Sequence, residues 1–66
     1  MFKIIDEFAI DKYIILTLDG EKPKRGYSKY VIDGKQYVIV PIYDMPKCIA
    51  IEASGHFIGK TVEFAS

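Results

Sequence analysis

The dipeptide Asp33-Gly34 lies between two runs rich in β-branched and aromatic residues, "YSKYVI" and "KQYVIVPIY". Asp-Gly tolerates the positive φ angles of a tight hairpin turn, so this placement commits the middle of the chain to two antiparallel strands. A two-residue turn puts Tyr30 opposite Tyr37; a three-residue turn with a glycine bulge shifts the pairing by one.

The same punctuation recurs about every ten residues. "YIILTL" (Tyr13 to Leu18) stops at Asp19-Gly20, and the polar loop "EKPKRG" (Glu21 to Gly26) follows. The strand after the hairpin ends near "DMP", because Pro46 cannot donate to a ladder. "KCIAIEA" (Lys47 to Ala53) is a further strand, "SGH" a turn, and "TVEFA" (Thr61 to Ala65) the last strand. At the N-terminus, Phe2, Ile5 and Phe8 have helical spacing, whereas a strand places Asp6, Phe8 and Ile10 on one face. Ile-rich sequence with few strong helix formers favours strand over residues 2–8. The expectation is a single all-β domain over residues 1–66: a small five- or six-stranded antiparallel β-barrel, closed so that no sheet edge is left exposed.

A chain of 66 residues covers only about 60% of the surface it exposes when unfolded, so the core is thin. Half of the residues are hydrophobic and nine are aromatic, five Tyr and four Phe. That is enough apolar matter to fold without staples. One Cys and one His exclude a four-ligand zinc site and an internal disulfide. A lone Cys48 suits a reducing compartment. Lys3, Asp6, Glu7, Asp11 and Lys12 interrupt the apolar character of a secretory leader. The run Tyr13-Ile14-Ile15-Leu16 falls far short of the roughly 20 residues of a membrane helix. A soluble cytoplasmic protein, complete as a small gene product, is expected.

"GHFIGKT" (Gly55 to Thr61) resembles a phosphate-binding loop in spelling only. That loop needs four residues between its glycines and a helix after its Lys. Here three residues separate Gly55 from Gly59, and only a short strand-forming stretch follows Thr61. The segment therefore reads as a turn before the last strand.

Other catalytic constellations are equally thin. Cys48 alternates with Ala50 on the face opposite Ile49 and Ile51, as a structural cysteine does. His56 follows Gly55 in a turn, where an exposed imidazole is ordinary. Alternation splits Asp6, Glu7 and Asp11 between faces, whereas acid–base chemistry needs two carboxyls facing one cleft. No catalytic residue, cofactor or metal site is expected, and the chain reads as non-enzymatic.

Net charge is zero, with nine bases and nine acids, which excludes a bulk polyanion footprint. Locally the balance tilts. Lys22, Lys24, Arg25, Lys29 and Lys35 stand against Asp33 alone, so this stretch is basic and the remainder acidic. Lys22, Lys24, Arg25 and Lys29, with Tyr27 and Tyr30 interleaved, have the composition to hold a phosphate backbone while a ring stacks on a base. The same alternation describes a half-buried strand, and lysine also guards sheet edges. Association with a protein partner or a second copy is the leading expectation, and RNA or single-stranded nucleic-acid binding through Lys22–Lys29 the alternative.

The order of these segments resembles the second, β-barrel domain of translation elongation-factor GTPases. "IIDEFAI" supplies Asp6, Phe8 and Ile10 for an opening of the type D-x-F-x-I. "YIILTLDGEKPKRGYSKYVI" offers Lys24 and Gly26 for a Lys-x-Gly step, "CIAIEA" an isoleucine-rich strand, and "FIGKTVEF" a closing turn and strand. The family's Gly-rich step after the opening strand and its GTPase domain are missing. The resemblance implies an elongation-factor type of barrel, with an SH3-like or OB-like barrel as the alternative, and no GTP hydrolysis. In the family this barrel packs on other domains and touches RNA; no contact residue is carried over.

Overall fold

The computed structural model describes residues Met1–Ser66. It contains six strands and no helix: β1 (Phe2–Ile10), β2 (Tyr13–Leu18), β3 (Lys29–Ile32), β4 (Lys35–Val38), β5 (Cys48–Glu52) and β6 (Thr61–Ala65). They form one antiparallel sheet in the order β4-β3-β6-β1-β2-β5. The N-terminal segment is strand throughout, and Asp6, Phe8 and Ile10 share its outer face as alternation requires.

The central hairpin has the two-residue turn. Asp33 and Gly34 have φ angles of 55° and 80°, both positive, and Tyr30 pairs with Tyr37. A second tight turn, Asp11-Lys12, joins β1 to β2 between the paired Ile10 and Tyr13. Asp11 takes a positive φ of 57° there, a conformation that Asp adopts more readily than most residues.

β1 ties the two halves of the sheet together. Phe2 and Lys3 pair with Val62 and Thr61 of β6, while Glu7 to Ile10 pair only with β2. A bulge between Ile4 and Asp6 marks the change. Its extra residue bends the strand, the usual device for turning a corner between packed sheets. It also resets the parity of the strand. Ile4 faces inward before the bulge and Glu7 inward after it, so exposed Ile5 is left over.

The sheet curls around a core of Ile4, Ile14, Leu16, Leu18, Tyr30, Ile32, Ile49, Ile51, Phe57 and Val62. Alternation in β2 and β5 sends Ile14, Leu16, Leu18, Ile49 and Ile51 inward. Each such side chain, fully buried, contributes about 1.5–3 kcal/mol. Cys48 lies on the other face of β5 from Ile49 and Ile51, half-buried, with its sulfur 3.6 Å from the Thr17 hydroxyl.

Closure falls short of the expected barrel. Only one bridge, Val40 to Ala50, joins the β4 side of the sheet to β5. β4 stops at Val38, well before "DMP", because Pro41 interrupts any longer ladder. The architecture is barrel-like, with an open seam between β4 and β5.

Candidate functional site

The largest concavity, about 340 Å³, opens between the loop after β2 and the segment after β4. Pro23, Lys22 and Lys24 form one wall; Ile39, Pro41, Ile42 and Pro46 form the other. Tyr27 and Tyr30 line the groove as well. Three prolines fix φ and withhold main-chain N–H donors, so the walls are stiff. The loops are tied down from below. Lys22 N–H donates to the Pro46 carbonyl at 2.8 Å, and Leu18 N–H donates to the Lys47 carbonyl at 2.7 Å.

An aromatic cluster supports the groove from within. The Phe64 ring meets Tyr27, Tyr30 and Phe2 edge to face, with centroids 4.9, 5.3 and 5.4 Å apart. Tyr30 is 2% exposed, and burial, followed by the nearby Tyr27 hydroxyl, pushes its pKa up to about 12. The phenol therefore stays protonated across the physiological range and is a donor rather than a base.

The basic stretch is divided by the fold. Lys22 is folded back, its Nζ donating to the Cys48 carbonyl at 2.8 Å, so its charge holds β5 to the loop. Tyr27 is half-buried and packed against Phe64 and Tyr30, which leaves its ring little freedom to stack on a base. Lys29 lies in β3, half-buried, paired with Val38 and Ala65. Lys24 and Arg25 remain exposed at the loop tip. The sequence grouped five residues; the structure gathers Lys22, Lys24 and Tyr27 at the groove and sends Lys29 into the sheet.

A second organised spot was hidden in the sequence. Glu7, redirected inward by the bulge, accepts from the Phe57 and Ile58 N–H groups at 2.7 and 3.1 Å. Its other oxygen is 2.7 Å from His56 Nδ1. The Glu7 side chain is 17% exposed and that of His56 94%. The Phe57 N–H above all, then the His56 ring, draw the Glu7 carboxyl below its ordinary value; burial opposes them, and the Ile58 N–H lowers it a little further. This carboxylate acts as a clasp: it satisfies the donors of the Gly55–Gly59 turn and seats Phe57 in the core. Gly59 in turn donates to Ile4 at 2.9 Å and adopts a φ of 91°.

"GHFIGKT" is thus a clasped turn leading into β6. Lys60, the residue a phosphate loop would use, sits 3.3 Å from the Asp33 carboxylate instead. No group of three or more His, Cys, Asp and Glu side chains is arranged to hold a metal ion, and no helix is long and apolar enough to cross a membrane. The only sequence hint of the clasp was an acidic residue, Glu7, at a position whose face depended on the bulge. Compared with protein-family models, curated proteins and solved structures, the chain gives no match.

Proposed function

We propose that the chain is a non-catalytic binding module that holds an extended segment of a protein partner in the groove between the loop after β2 and the segment after β4. The observation that carries this reading is the groove's construction: an apolar wall of Ile39, Pro41, Ile42 and Pro46 facing Pro23, Lys22 and Lys24 over a packed aromatic floor. The apolar wall suits apolar side chains of a partner, with Lys24 and Glu21 on the loop opposite to set orientation. The elongation-factor-like order of motifs supports the same reading, since barrels of that type work by packing on other domains. The half-covered single thiol of Cys48 fits a cytoplasmic setting.

The test is retention of a partner from a lysate of the source cells, followed by its titration against purified wild type and Ile42→Asp. Ile42→Asp sets a carboxylate in the groove wall, at a half-buried loop position. Binding weakened by tenfold or more, with an unchanged circular dichroism spectrum, supports the groove; equal binding by the folded variant removes it.

Exposed Lys24 and Arg25, neither in an ion pair, favour nucleic acid as the second reading. Lys24→Glu combined with Arg25→Glu should then abolish low-salt binding of a fluorescent oligouridine and flatten its salt dependence. No binding by wild type at low salt ends that reading.

A further inference from the structure

Alternation turns one face of the β1-β2-β5 sheet outward, and the pairings set its residues in three rows. Asp6, Thr17 and Cys48 form one row; Phe8, Ile15 and Ala50 form the middle row; Ile10, Tyr13 and Glu52 form the third. The outward face of an antiparallel sheet is normally polar. Here Asp6 and Glu52 are the only charges, and they sit at opposite corners. The Thr17 hydroxyl and the Cys48 sulfur lie 3.6 Å apart, so the neutral polar groups of their row already have a partner.

The face is uneven as well as apolar. On β1, Phe8 is 63% and Ile10 52% exposed, whereas Ala50 on β5 is 3% exposed. Phe8 and Ile10 therefore stand as a ridge along one side. Ala50, far shorter than its neighbours, is the floor of a shallow hollow between Ile15 and Val40 on the other. At the third row Lys12 reaches over the Tyr13 ring, 5.4 Å from its centroid, to within 4.0 Å of Glu52. That end is charged and exposed, the composition of an interface rim.

We propose that this face packs on the same face of a second copy of the chain, making a dimer whose two-fold axis runs along β2 at Ile15. Rotation about that axis keeps each row opposite itself and lays β1 over β5 of the second copy. Phe8 then enters the Ala50 hollow of the second copy, twice by symmetry, and Ile15 meets its own counterpart. Asp6 lies over Cys48 and Glu52 over Ile10 of the second copy, so no acid meets an acid, and Lys12 comes beside Glu52 of the second copy. A two-fold axis across the strands would instead set ridge on ridge and leave both hollows empty. Sheets packed face to face cross at about 30°, which this axis permits. Three strands about 4.8 Å apart and rows about 6.8 Å apart make a face of about 15 Å by about 17 Å. Two such faces bury about 800–1,000 Å² in all, at the lower limit of specific interfaces. Affinity is accordingly modest, a dissociation constant of about 50 µM to 1 mM.

Sedimentation equilibrium from about 20 µM to about 2 mM tests this directly. The mass should rise with concentration from the 7.5 kDa of one chain toward twice that value and no further, because an isologous contact closes. Phe8→Asp sets a carboxylate against the apolar hollow and should weaken the dimer at least tenfold. Phe8→Thr keeps a strand former, should weaken it several-fold, and decides the matter if Phe8→Asp does not fold. Tyr43→Asp removes an aromatic that is 81% exposed but lies off this face, and should leave the dimer unchanged. In a mixture of isotope-labelled and unlabelled chains, the Phe8 ring should show intermolecular NOE contacts to the Ala50 methyl. A wild type that remains a single chain at about 2 mM overturns the proposal. So does association that runs past two copies, that Phe8 variants leave intact, or that Tyr43→Asp weakens equally. Intermolecular contacts of Phe8 with Phe8 in place of Ala50 overturn it as well. Ile42, on which the groove is tested, is not on this face, so the two proposals stand or fall separately.

Discussion

Phe64 is the side chain on which the floor of the groove rests, and Phe64→Leu isolates what its ring contributes. Leucine retains most of the apolar volume and loses the edge-to-face geometry with Phe2, Tyr27 and Tyr30, at interplanar angles of 86°, 77° and 87°. Aromatic pairs of this kind are worth about 0.5–1.5 kcal/mol each beyond buried area. Phe64 is half-buried and the pairs share one ring, so the lower part of the range applies. The expected loss is about 1.5–2.5 kcal/mol. A chain of this size has roughly 3–10 kcal/mol in all, so the loss is a large share. Urea denaturation followed by tyrosine fluorescence measures it. With a slope near 1 kcal/mol/M, the midpoint should fall by about 1.5–2.5 M while the slope stays constant. Phe64→Ala, which adds a cavity, should fall further, by about 3–4 kcal/mol. A Phe64→Leu midpoint within about 0.5 M of wild type would refute the reasoning, because the contacts would then be mere proximity. A double-mutant cycle with Tyr27→Leu should return a coupling of about 0.5–1.5 kcal/mol.

Two further outcomes follow from local geometry. Gly34→Val forces a β-branched residue into a φ of 80° and should destabilise the chain by about 1–3 kcal/mol. Unchanged urea stability would show that the turn relaxes into another form. The Glu7 clasp makes stability acid-sensitive. Its carboxyl pKa is lowered in the folded state from an ordinary 4.5, so its contribution is fully present above that value and is lost as pH falls through the depressed folded value. The melting temperature of wild type should decline below about pH 4.5 more steeply than that of Glu7→Gln, and the amides of Phe57 and Ile58 should lose exchange protection in the variant. Parallel pH profiles would remove Glu7 as a source of that sensitivity.

Much of the fold was legible along the chain because short-range rules govern it. Asp33-Gly34 announced its own positive φ angles and the hairpin, while the choice between two registers, and with it the facing of Tyr30 and Tyr37, came from the structure. Alternation located Tyr13–Leu18 and Thr61–Ala65 to the residue and placed Cys48 opposite Ile49 and Ile51. Hairpin partners are near neighbours in sequence, so turn chemistry suffices to align them. The Asp11-Lys12 turn escaped notice, since Asp-Lys lacks the glycine that usually announces a tight hairpin.

Long-range partners set everything else. The insertion of β6 between β3 and β1, and the single bridge across the seam between the β4 side and β5, depend on pairings between distant segments. No local propensity encodes such pairings. The bulge at Ile5 is the clearest instance. It reverses the facing of every later residue in β1, and so turns Glu7 from one of three scattered acids into the clasp of a turn 50 residues away. Likewise the basic stretch was visible as composition, yet only packing assigned Lys22 to the Cys48 carbonyl and Tyr27 to the aromatic floor. Residue order specified which strands this chain can make; burial and long-range pairing decided which side chains remain free to bind.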